Sequence, residues 1–179
     1  FIIASHHLNK HKTMATVNFK GNTVNLRGEL PKVGSKAPDF KFVKTDLSEQ
    51  SLYELGDKKK VIIAVPSLDT GVCATETHKF NEKLASMSDV VGLVVSKDLP
   101  FAMKRFCETD GIKNVVSGSD FRYNEFGNKF NSDMTDGPLK GLSSRAVFVL
   151  DKDNTIKFIE LVPEVTQEPD YDSVLNALK

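Results

Sequence analysis

Two continuous runs of apolar residues mark the centre of the chain, at positions 61–65 and 90–95. Runs of this length are typical of strands that are buried on both faces of a sheet. Between them, apolar residues recur at helical spacing and predict a helix from about 71 to 87. A strand, a helix and a second strand in this order predict a βαβ crossover with parallel pairing of the two strands.

Shorter segments on both sides of this unit predict further strands, because they alternate between apolar and polar residues or are continuously apolar. The predicted strands lie at 16–19 and 23–26 (a hairpin), at 39–43, at 115–116, and at 146–150 and 155–162 (a second hairpin). Turn-forming residues predict loops at 47–55, which includes one helical turn, and at 136–141.

Three further helices are predicted from the signals at their ends. Asp98 can cap a helix that Gly111 terminates. Residues 121–126 predict a short helix, and residues 169–178 predict the last one, with Asp170 as its cap. The order of the elements predicts a thioredoxin-like α/β fold, in which helices flank a central mixed sheet and a β-hairpin forms an N-terminal extension.

The composition is that of an ordinary globular domain, with 179 residues of which 40% are hydrophobic and 27% charged. Lys and Arg together number 24, as do Asp and Glu, so the chain has no net charge to attract nucleic acid or an anionic membrane. No apolar run approaches the roughly 18 residues that a membrane span needs. We therefore expect no nucleic-acid binding and no membrane insertion, and residues 14–179 are predicted to form one domain.

The first 13 residues hold three of the four histidines but lack the ordered basic, apolar and small-residue regions of a secretory signal. We interpret residues 1–13 as a vector-derived or disordered extension that ends before Met14. A cytoplasmic location is expected because no secretory signal is recognised. No functional metal site is predicted from these histidines.

The chain has two cysteines, Cys73 and Cys107, and no Cys-x-x-Cys pair, which excludes a zinc ribbon and a thioredoxin-type dithiol. Cys73 lies in the first turn of a predicted helix, where free N–H groups and the helix dipole favour an anion. Since the thiolate is the reactive form of cysteine, Cys73 is the candidate nucleophile. Cys107 lies near the C-terminal end of its helix, where the dipole disfavours an anion. This asymmetry fits an attacking and a resolving cysteine, although packing of Cys107 beside Phe106 is the alternative.

Cys73 is part of the motif Pro66-x-x-x-Thr70-x-x-Cys73. Pro66 ends the preceding strand and supplies no N–H, so it stiffens the turn and can shield the sulfur. Thr70 precedes Cys73 by three residues, close enough for its hydroxyl to bond a thiolate or a bound oxygen. His78, further along the same helix, is interpreted as a solvated residue, because a preformed thiolate needs no base.

Two carboxylates flank the candidate nucleophile, at Asp69 and Glu76, and a cation is needed to offset them. Arg145 is the leading candidate, because it lies at the start of an apolar strand after a glycine-containing loop. The alternatives that the local pattern leaves open are Arg27, Arg105 and Arg122.

Three segments of the chain, PSLDTGVC, RFCETDGI and DGPLKGLSSRAV, resemble the thiol peroxidase subfamily of peroxiredoxins. The resemblance covers about residues 14–179. It implies that Cys73 attacks a hydroperoxide and becomes a sulfenic acid, while Thr70 and Arg145 hold the peroxide. It also implies that Cys107 then forms a disulfide with Cys73, which thioredoxin reduces as an external reductant.

The resemblance further implies a homodimer, no metal, haem or flavin cofactor, and local unwinding around both cysteines during turnover. An apolar rim around the site favours organic hydroperoxides beside hydrogen peroxide. Two other functions use the same residues. One is a redox sensor or holdase-like binding protein, and the other is a general dithiol oxidoreductase, which the missing Cys-x-x-Cys pair disfavours.

Overall fold

The computed structural model describes residues 15–179, so the predicted extension at residues 1–13 lies outside the described residues. The strands are β1 (Thr16–Phe19), β2 (Asn22–Asn25), β3 (Lys41–Val43), β4 (Glu49–Ser51), β5 (Lys59–Ala64), β6 (Val90–Ser96), β7 (Val115–Ser119), β8 (Ala146–Leu150) and β9 (Ile156–Leu161). The helices are α1 (Gly71–Leu84), α2 (Pro100–Asp110), α3 (Glu125–Phe130) and α4 (Tyr171–Ala177), and a 3₁₀ turn spans Tyr53–Leu55.

Seven of the strands form one sheet in the order β4-β3-β7-β6-β5-β8-β9. β5, β6 and β7 pair in parallel, whereas β3, β4, β8 and β9 pair antiparallel with their neighbours. Parallel pairing of β5 and β6 requires a crossover, which α1 supplies. The predicted thioredoxin-like mixed sheet and its βαβ unit are therefore confirmed, and β1 and β2 form the predicted separate hairpin.

The central strand β5 is buried on both faces, which explains its continuous apolar run. Val61 and Ile63 face a cluster that includes Phe80 of α1 and Val174 of α4. The alternate residue Ile62 faces a second cluster, where Phe126 of α3 packs. Helices α1 and α4 therefore cover one face of the sheet and α3 covers the other. The chain enters α1 directly after β5, so the N-terminal end of α1 lies near the C-terminal end of β5.

The β1–β2 hairpin packs beside the segment that follows β9. Asn18 donates its backbone N–H to the carbonyl of Pro163 at 2.7 Å and accepts from the N–H of Val165 at 2.9 Å. Val17 and Val24 share a third apolar cluster with Val165. The hairpin is thereby fixed over one end of the main sheet, near the start of α1.

The predicted helix at 121–126 is wrong in position, because the structure begins α3 at Glu125. The carboxylate of Asp120 accepts the backbone N–H groups of Phe126 at 2.9 Å and of Gly127 at 3.0 Å. This buried aspartate satisfies the free N–H groups at the start of α3 from outside the helix. The residues between Asp120 and Glu125 form a turn, which apolar spacing alone does not distinguish from helix.

The predicted role of Asp98 as the cap of α2 is also wrong, since Leu99 occupies the cap position without a side-chain bond. The carboxylate of Asp98 instead accepts from Ser67 Oγ at 2.8 Å, the N–H of Leu68 at 2.8 Å and Ser96 Oγ at 2.6 Å. It therefore fastens the loop after β5 to the end of β6. Long-range partners of this kind leave no local sequence signal.

The ends of the other elements differ less between the prediction and the structure. Gly111 terminates α2 with a φ of 68°, and Asp170 accepts from the N–H of Ser173 at the start of α4, both as predicted. The predicted loop at 47–55 contains the expected helical turn but also β4, which exists because it pairs with β3. Over residues 15–179, no helix combines the length and the apolar character needed to cross a membrane.

Candidate active site

Cys73 is the third residue of α1 and its side chain is completely buried. The loop that leads to it from β5 is short and tightly held. Pro66 offers no N–H to continue the sheet, Thr70 donates its backbone N–H to the carbonyl of Ser67 at 3.2 Å, and Asp98 accepts from the same loop. The extended backbone of Thr70 then lets α1 begin at Gly71, so the sulfur lies at the first turn as predicted.

A guanidinium group lies against the sulfur. Arg145 Nη2 is 3.4 Å from Cys73 Sγ, and the Arg145 side chain is only 2% exposed. The antiparallel register of β5 and β8 explains this position, because Ala64 at the end of β5 pairs with Ala146 at the start of β8. Arg145, one residue before Ala146, therefore meets the loop that leads from β5 to Cys73.

The other three candidate cations each pair with a carboxylate other than Glu76. Arg27 pairs with Asp133, Arg105 with Asp69, and Arg122 with Glu49. The choice that the sequence left open is thus decided in favour of Arg145.

Arg145 is held by two further groups besides the sulfur. Its Nη1 donates to Glu76 Oε2 at 2.5 Å, and its Nε donates to the carbonyl of Val165 at 3.0 Å. Burial by itself lowers the pKa of Arg145, but attraction to Glu76 and Cys73 outweighs it and raises the pKa, so the guanidinium is a cation. Its three contacts fix both its charge and its orientation beside the sulfur.

Glu76 lies one helical turn after Cys73 and is completely buried. Burial raises the pKa of Glu76 to about 7, although Arg145 pulls in the opposite direction. One of its oxygens, Oε1, is buried and has no hydrogen-bond partner among residues 15–179. The sequence identified Glu76 only as a flanking charge, whereas the structure makes it the partner of the guanidinium that contacts the sulfur.

A cavity of about 220 Å³ opens at this point. Its lining brings together three of the predicted site residues, Pro66, Thr70 and Arg145. The hydroxyl of Thr70 donates to the carbonyl of Ser67 at 2.9 Å, so in this structure it bonds the loop and not the sulfur. The helix start at Gly71 and Val72, whose free N–H groups the sequence also predicts beside Cys73, forms another part of the wall. Sequence reasoning missed the rest, which consists of Phe19, Leu139, Leu142, Val165 and Thr166.

These missed residues come from three segments, the β1–β2 hairpin, the 136–141 loop with its continuation, and the chain after β9. All of them except Thr166 are apolar, which makes the cavity wall mainly hydrophobic around one cation. The predicted apolar rim is consistent with this wall, but no local signal assigns Phe19 or Val165 to it.

Cys107 lies in the last turn of α2 and is partly buried. Its Sγ is 3.3 Å from Ser117 Oγ on β7. Burial raises the pKa of Cys107, the bond to Ser117 opposes that rise, and the charges of Asp110 and Glu108 add to it. The direction agrees with the expectation for a helix C-terminus, although burial is the larger cause. Both cysteines are free thiols in this structure.

His78 has a partner that the sequence did not indicate. Its Nε2 lies 2.8 Å from Asp110 Oδ2, while its side chain remains 42% exposed. Within residues 15–179, no group of three or more His, Cys, Asp or Glu side chains is arranged to hold a metal ion. The histidines of the first 13 residues lie outside the described part of the chain.

Comparisons with known proteins give a consistent result. The sequence pattern of the Redoxin family matches residues 32–175. The chain is 55% identical over 166 residues to a thiol peroxidase of Leptospira interrogans, covering 92% of this chain and 97% of that protein. It is 51% identical over 164 residues to a thiol peroxidase of Aquifex aeolicus, covering 92% and 96%.

Solved structures agree with these sequence relatives. A peroxiredoxin-like protein from Aquifex aeolicus superimposes with a TM-score of 0.88 at 51% identity, covering 92% of this chain and 96% of that one. A thiol peroxidase from Chromobacterium violaceum superimposes with a TM-score of 0.84 at 21% identity, over 91% of this chain and 94% of that one. The second similarity concerns the fold alone.

Proposed function

The chain belongs to the Redoxin family and, within it, to the thiol peroxidases among the peroxiredoxins, and from this membership we propose how its residues carry out peroxide reduction. Cys73 is the peroxidatic cysteine and Cys107 the resolving cysteine. The observation that carries the proposal is the bond from Arg145 Nη2 to Cys73 Sγ at 3.4 Å beside an apolar cavity. A fixed cation that contacts the sulfur and also lines an apolar cavity supports the reduction of a peroxide by Cys73.

In the first step the Cys73 thiolate attacks the terminal oxygen of a hydroperoxide. A sulfur–oxygen bond forms and the oxygen–oxygen bond breaks, so the sulfur loses two electrons and becomes a sulfenic acid. The leaving oxygen takes up a proton and departs as water or an alcohol. Negative charge grows on that oxygen as the bond breaks, and a positioned cation stabilises it.

Arg145 supplies this stabilisation, because the carbonyl of Val165 and the carboxyl of Glu76 hold its guanidinium in place before the substrate arrives. A donor that is already oriented needs no reorganisation during the reaction. Thr70 lines the same cavity, and rotation of its hydroxyl away from Ser67 would let it hold a peroxide oxygen. Pro66 completes the wall next to the sulfur and limits the access of water.

In the second step Cys107 attacks the oxidised sulfur of Cys73. The disulfide forms, the sulfur–oxygen bond of the sulfenic acid breaks, and the released hydroxide is protonated to water. Thioredoxin then reduces the disulfide by thiol–disulfide exchange and returns both thiols. The two-electron change of the peroxide is balanced by oxidation of one thioredoxin dithiol.

The cavity wall supports organic hydroperoxides, including alkyl and lipid hydroperoxides, as substrates beside hydrogen peroxide. Phe19, Leu139 and Leu142 offer apolar surface to an alkyl chain, while Arg145 faces the peroxide end. No metal, haem or flavin takes part in the proposed cycle, since the thiol itself carries the electrons.

We also propose that the protein works as a cytoplasmic homodimer. Support for the dimer comes from exposed apolar side chains at the start of α2 and before α3: Phe101 is 66% exposed, Phe121 64% and Leu99 45%. They border a groove of about 380 Å³. Exposed apolar groups gathered in one place mark interaction surfaces. Phe101→Asp is therefore expected to give a monomer in sedimentation equilibrium, and an unchanged molar mass would contradict this assignment.

The test of the function is steady-state peroxide consumption with thioredoxin, thioredoxin reductase and NADPH. Cys73→Ser should abolish turnover, whereas Cys107→Ser should reduce one equivalent of peroxide and then stall. Arg145→Lys should lose about 100-fold in the oxidation rate of Cys73, because lysine cannot reproduce the oriented guanidinium. Mass spectrometry after one equivalent of peroxide should find a Cys73–Cys107 crosslink in the wild type.

Full turnover by Cys73→Ser would overturn the assignment of the nucleophile. Slow, stoichiometric oxidation without turnover in the presence of thioredoxin would instead support a redox sensor. The matched control is Arg105→Lys, which replaces an exposed arginine on α2 whose partner is Asp69.

A further inference from the structure

Helices α1 and α2, which carry the two cysteines, are joined by a polar pair near the end of α2. His78 of α1 places Nε2 at 2.8 Å from Asp110 Oδ2. Asp110 is the last residue of α2 and lies one helical turn after Cys107. The ring of His78 also meets the ring of Phe106 edge-on, with centroids 6.1 Å apart. His78 therefore contacts residues on both sides of Cys107 in the sequence.

A second set of bonds ties the chain after α2 to the same helix. Asn81 Oδ1 of α1 accepts the backbone N–H groups of Lys113 at 3.0 Å and of Asn114 at 2.7 Å. The side-chain amide of Asn114 donates back to the carbonyl of Asn81 at 3.2 Å. Asn81 is nearly buried, at 9% exposure. Two side chains of α1 thus hold this region in place. His78 binds the last turn of α2, and Asn81 binds the segment that follows it.

This fastening opposes the movement that disulfide formation requires. Cys107 Sγ lies 3.3 Å from Ser117 Oγ on β7, whereas Arg145 Nη2 donates to Cys73 Sγ at 3.4 Å. A disulfide needs a sulfur–sulfur distance of about 2.05 Å, so the two sulfurs must leave these partners to meet. The carbonyl of Cys107 accepts from Gly111 and Ile112 at the end of α2, and these bonds must open if the last turn unwinds.

We propose that the pair formed by His78 and Asp110 is a latch that limits the rate at which Cys107 reaches the sulfenic acid of Cys73. The inference rests on the proposed function and deepens it. Both residues are positioning residues, since neither touches the peroxide or the reacting sulfurs. While the latch is closed, the last turn of α2 stays helical and Cys107 stays at Ser117. When it opens, Cys107 attacks Cys73 and water leaves.

The rate of this opening also decides the fate of the oxidised enzyme. A sulfenic acid that waits for Cys107 can react with a second peroxide molecule, which oxidises it by two further electrons to a sulfinic acid. A weaker latch speeds resolution and leaves less time for that reaction. The latch therefore sets the balance between turnover and inactivation at high peroxide concentration.

The variant Asp110→Ala distinguishes the effect of losing the latch from the effect of a change in the stability of helix α2. Alanine is the better helix former, and removing a carboxylate from a helix C-terminus favours the dipole, so this change alone would stabilise α2 and slow its unwinding. The latch proposal predicts the opposite, namely that the last turn of α2 unwinds faster in Asp110→Ala. Because a partly exposed polar pair contributes little free energy, disulfide formation in Asp110→Ala should be about two- to fivefold faster.

Glu108→Ala is the matched control. Glu108 and Asp110 both raise the pKa of Cys107 through their charges, but the partner of Glu108 is an exposed residue of its own helix, Lys104 at 3.9 Å. Its removal reproduces the electrostatic effect on the thiol without touching α1. The rate of disulfide formation in His78→Ala should match that in Asp110→Ala, and the double variant should be no faster than either single variant. His78→Gln should have a rate closer to that of the wild type, because the glutamine amide can donate to Asp110.

The experiment follows the reduced full-length protein by rapid quench after one equivalent of peroxide, with mass spectrometry of free thiol, sulfenic acid, disulfide and sulfinic acid. Faster disulfide formation in the two latch variants, unchanged oxidation of Cys73 and a smaller sulfinic fraction at excess peroxide support the latch. Unchanged or slower disulfide formation in Asp110→Ala, or equal acceleration in Glu108→Ala, would overturn it. If the wild type forms no Cys73–Cys107 disulfide at all, the proposed function itself fails.

Discussion

Replacing Glu76 by glutamine tests whether a buried carboxyl group next to the reactive sulfur titrates near neutral pH. Burial raises the pKa of Glu76 to about 7, against the pull of Arg145, whereas its ordinary pKa is 4.5. Between these two values the folded protein holds a proton that the unfolded chain has already released. The folded state is thereby favoured at the acid end of this window.

The sign and size of the effect follow from this difference. The stability that the protonated carboxyl contributes is fully present below about pH 4.5 and is lost as the pH rises through about 7. The difference between the two pKa values corresponds to about 3 kcal/mol in the free energy of unfolding. Glutamine keeps the size and an oxygen acceptor for Arg145 but does not titrate. We therefore expect Glu76→Gln to gain about 3 kcal/mol relative to the wild type between about pH 4 and pH 8.

The assay is urea unfolding of the reduced proteins at closely spaced pH values, with the slope of free energy against urea checked for constancy. Comparing the two proteins cancels the pH dependence of every other carboxyl group. Glu82→Gln, on the exposed side of the same helix, is the control and should not show the gain expected for Glu76→Gln, because its side chain is not buried. A stability difference between Glu76→Gln and the wild type that does not change across this range would refute the reasoning.

Three further changes test other parts of the structure. Gly127→Ala places a Cβ against the carboxylate of Asp133, so we expect a loss of about 1–3 kcal/mol in urea unfolding, and an unchanged midpoint would contradict this close approach. Asp98→Ala removes the acceptor of the N–H of Leu68. We expect this variant to be destabilised by about 1–3 kcal/mol and to oxidise Cys73 more slowly. A wild-type oxidation rate would show that the loop before Cys73 does not depend on Asp98. Phe19→Ser removes apolar surface from the cavity wall. We expect the KM for a bulky organic hydroperoxide to rise about tenfold, with little change in the KM for hydrogen peroxide. An equal rise for both substrates would argue against an alkyl-binding site.

The central unit of the fold could be predicted because its signals are local. β5, α1 and β6 are recognised from apolar runs and helical spacing, and α2 and α4 from residues at their ends. The elements that were missed depend on distant partners. β4 is too short to carry a pattern and exists through β3, while α3 begins where the buried carboxylate of Asp120 accepts its first N–H groups.

The candidate site likewise has a part that local signals predict and a part that depends on distant residues. The motif from Pro66 to Cys73 is a continuous stretch, so its residue types and spacing could be read directly from the chain. The latch residues His78 and Asp110 carried no such signal, because each is an ordinary surface residue of its own helix until the two helices are placed side by side. The apolar wall of the cavity was likewise assembled from three separate segments.

Backbone preference and apolar periodicity already place a cysteine in the first turn of a helix directly after a buried strand, because both act over a few neighbouring residues. The arginine that meets this cysteine is selected by the packing of the whole sheet. Four arginines were compatible with the local pattern, and the register that pairs Ala64 with Ala146 selects Arg145. Strand register depends on side chains packed across the whole sheet, and it is therefore encoded by the chain collectively and not by the residues near Cys73.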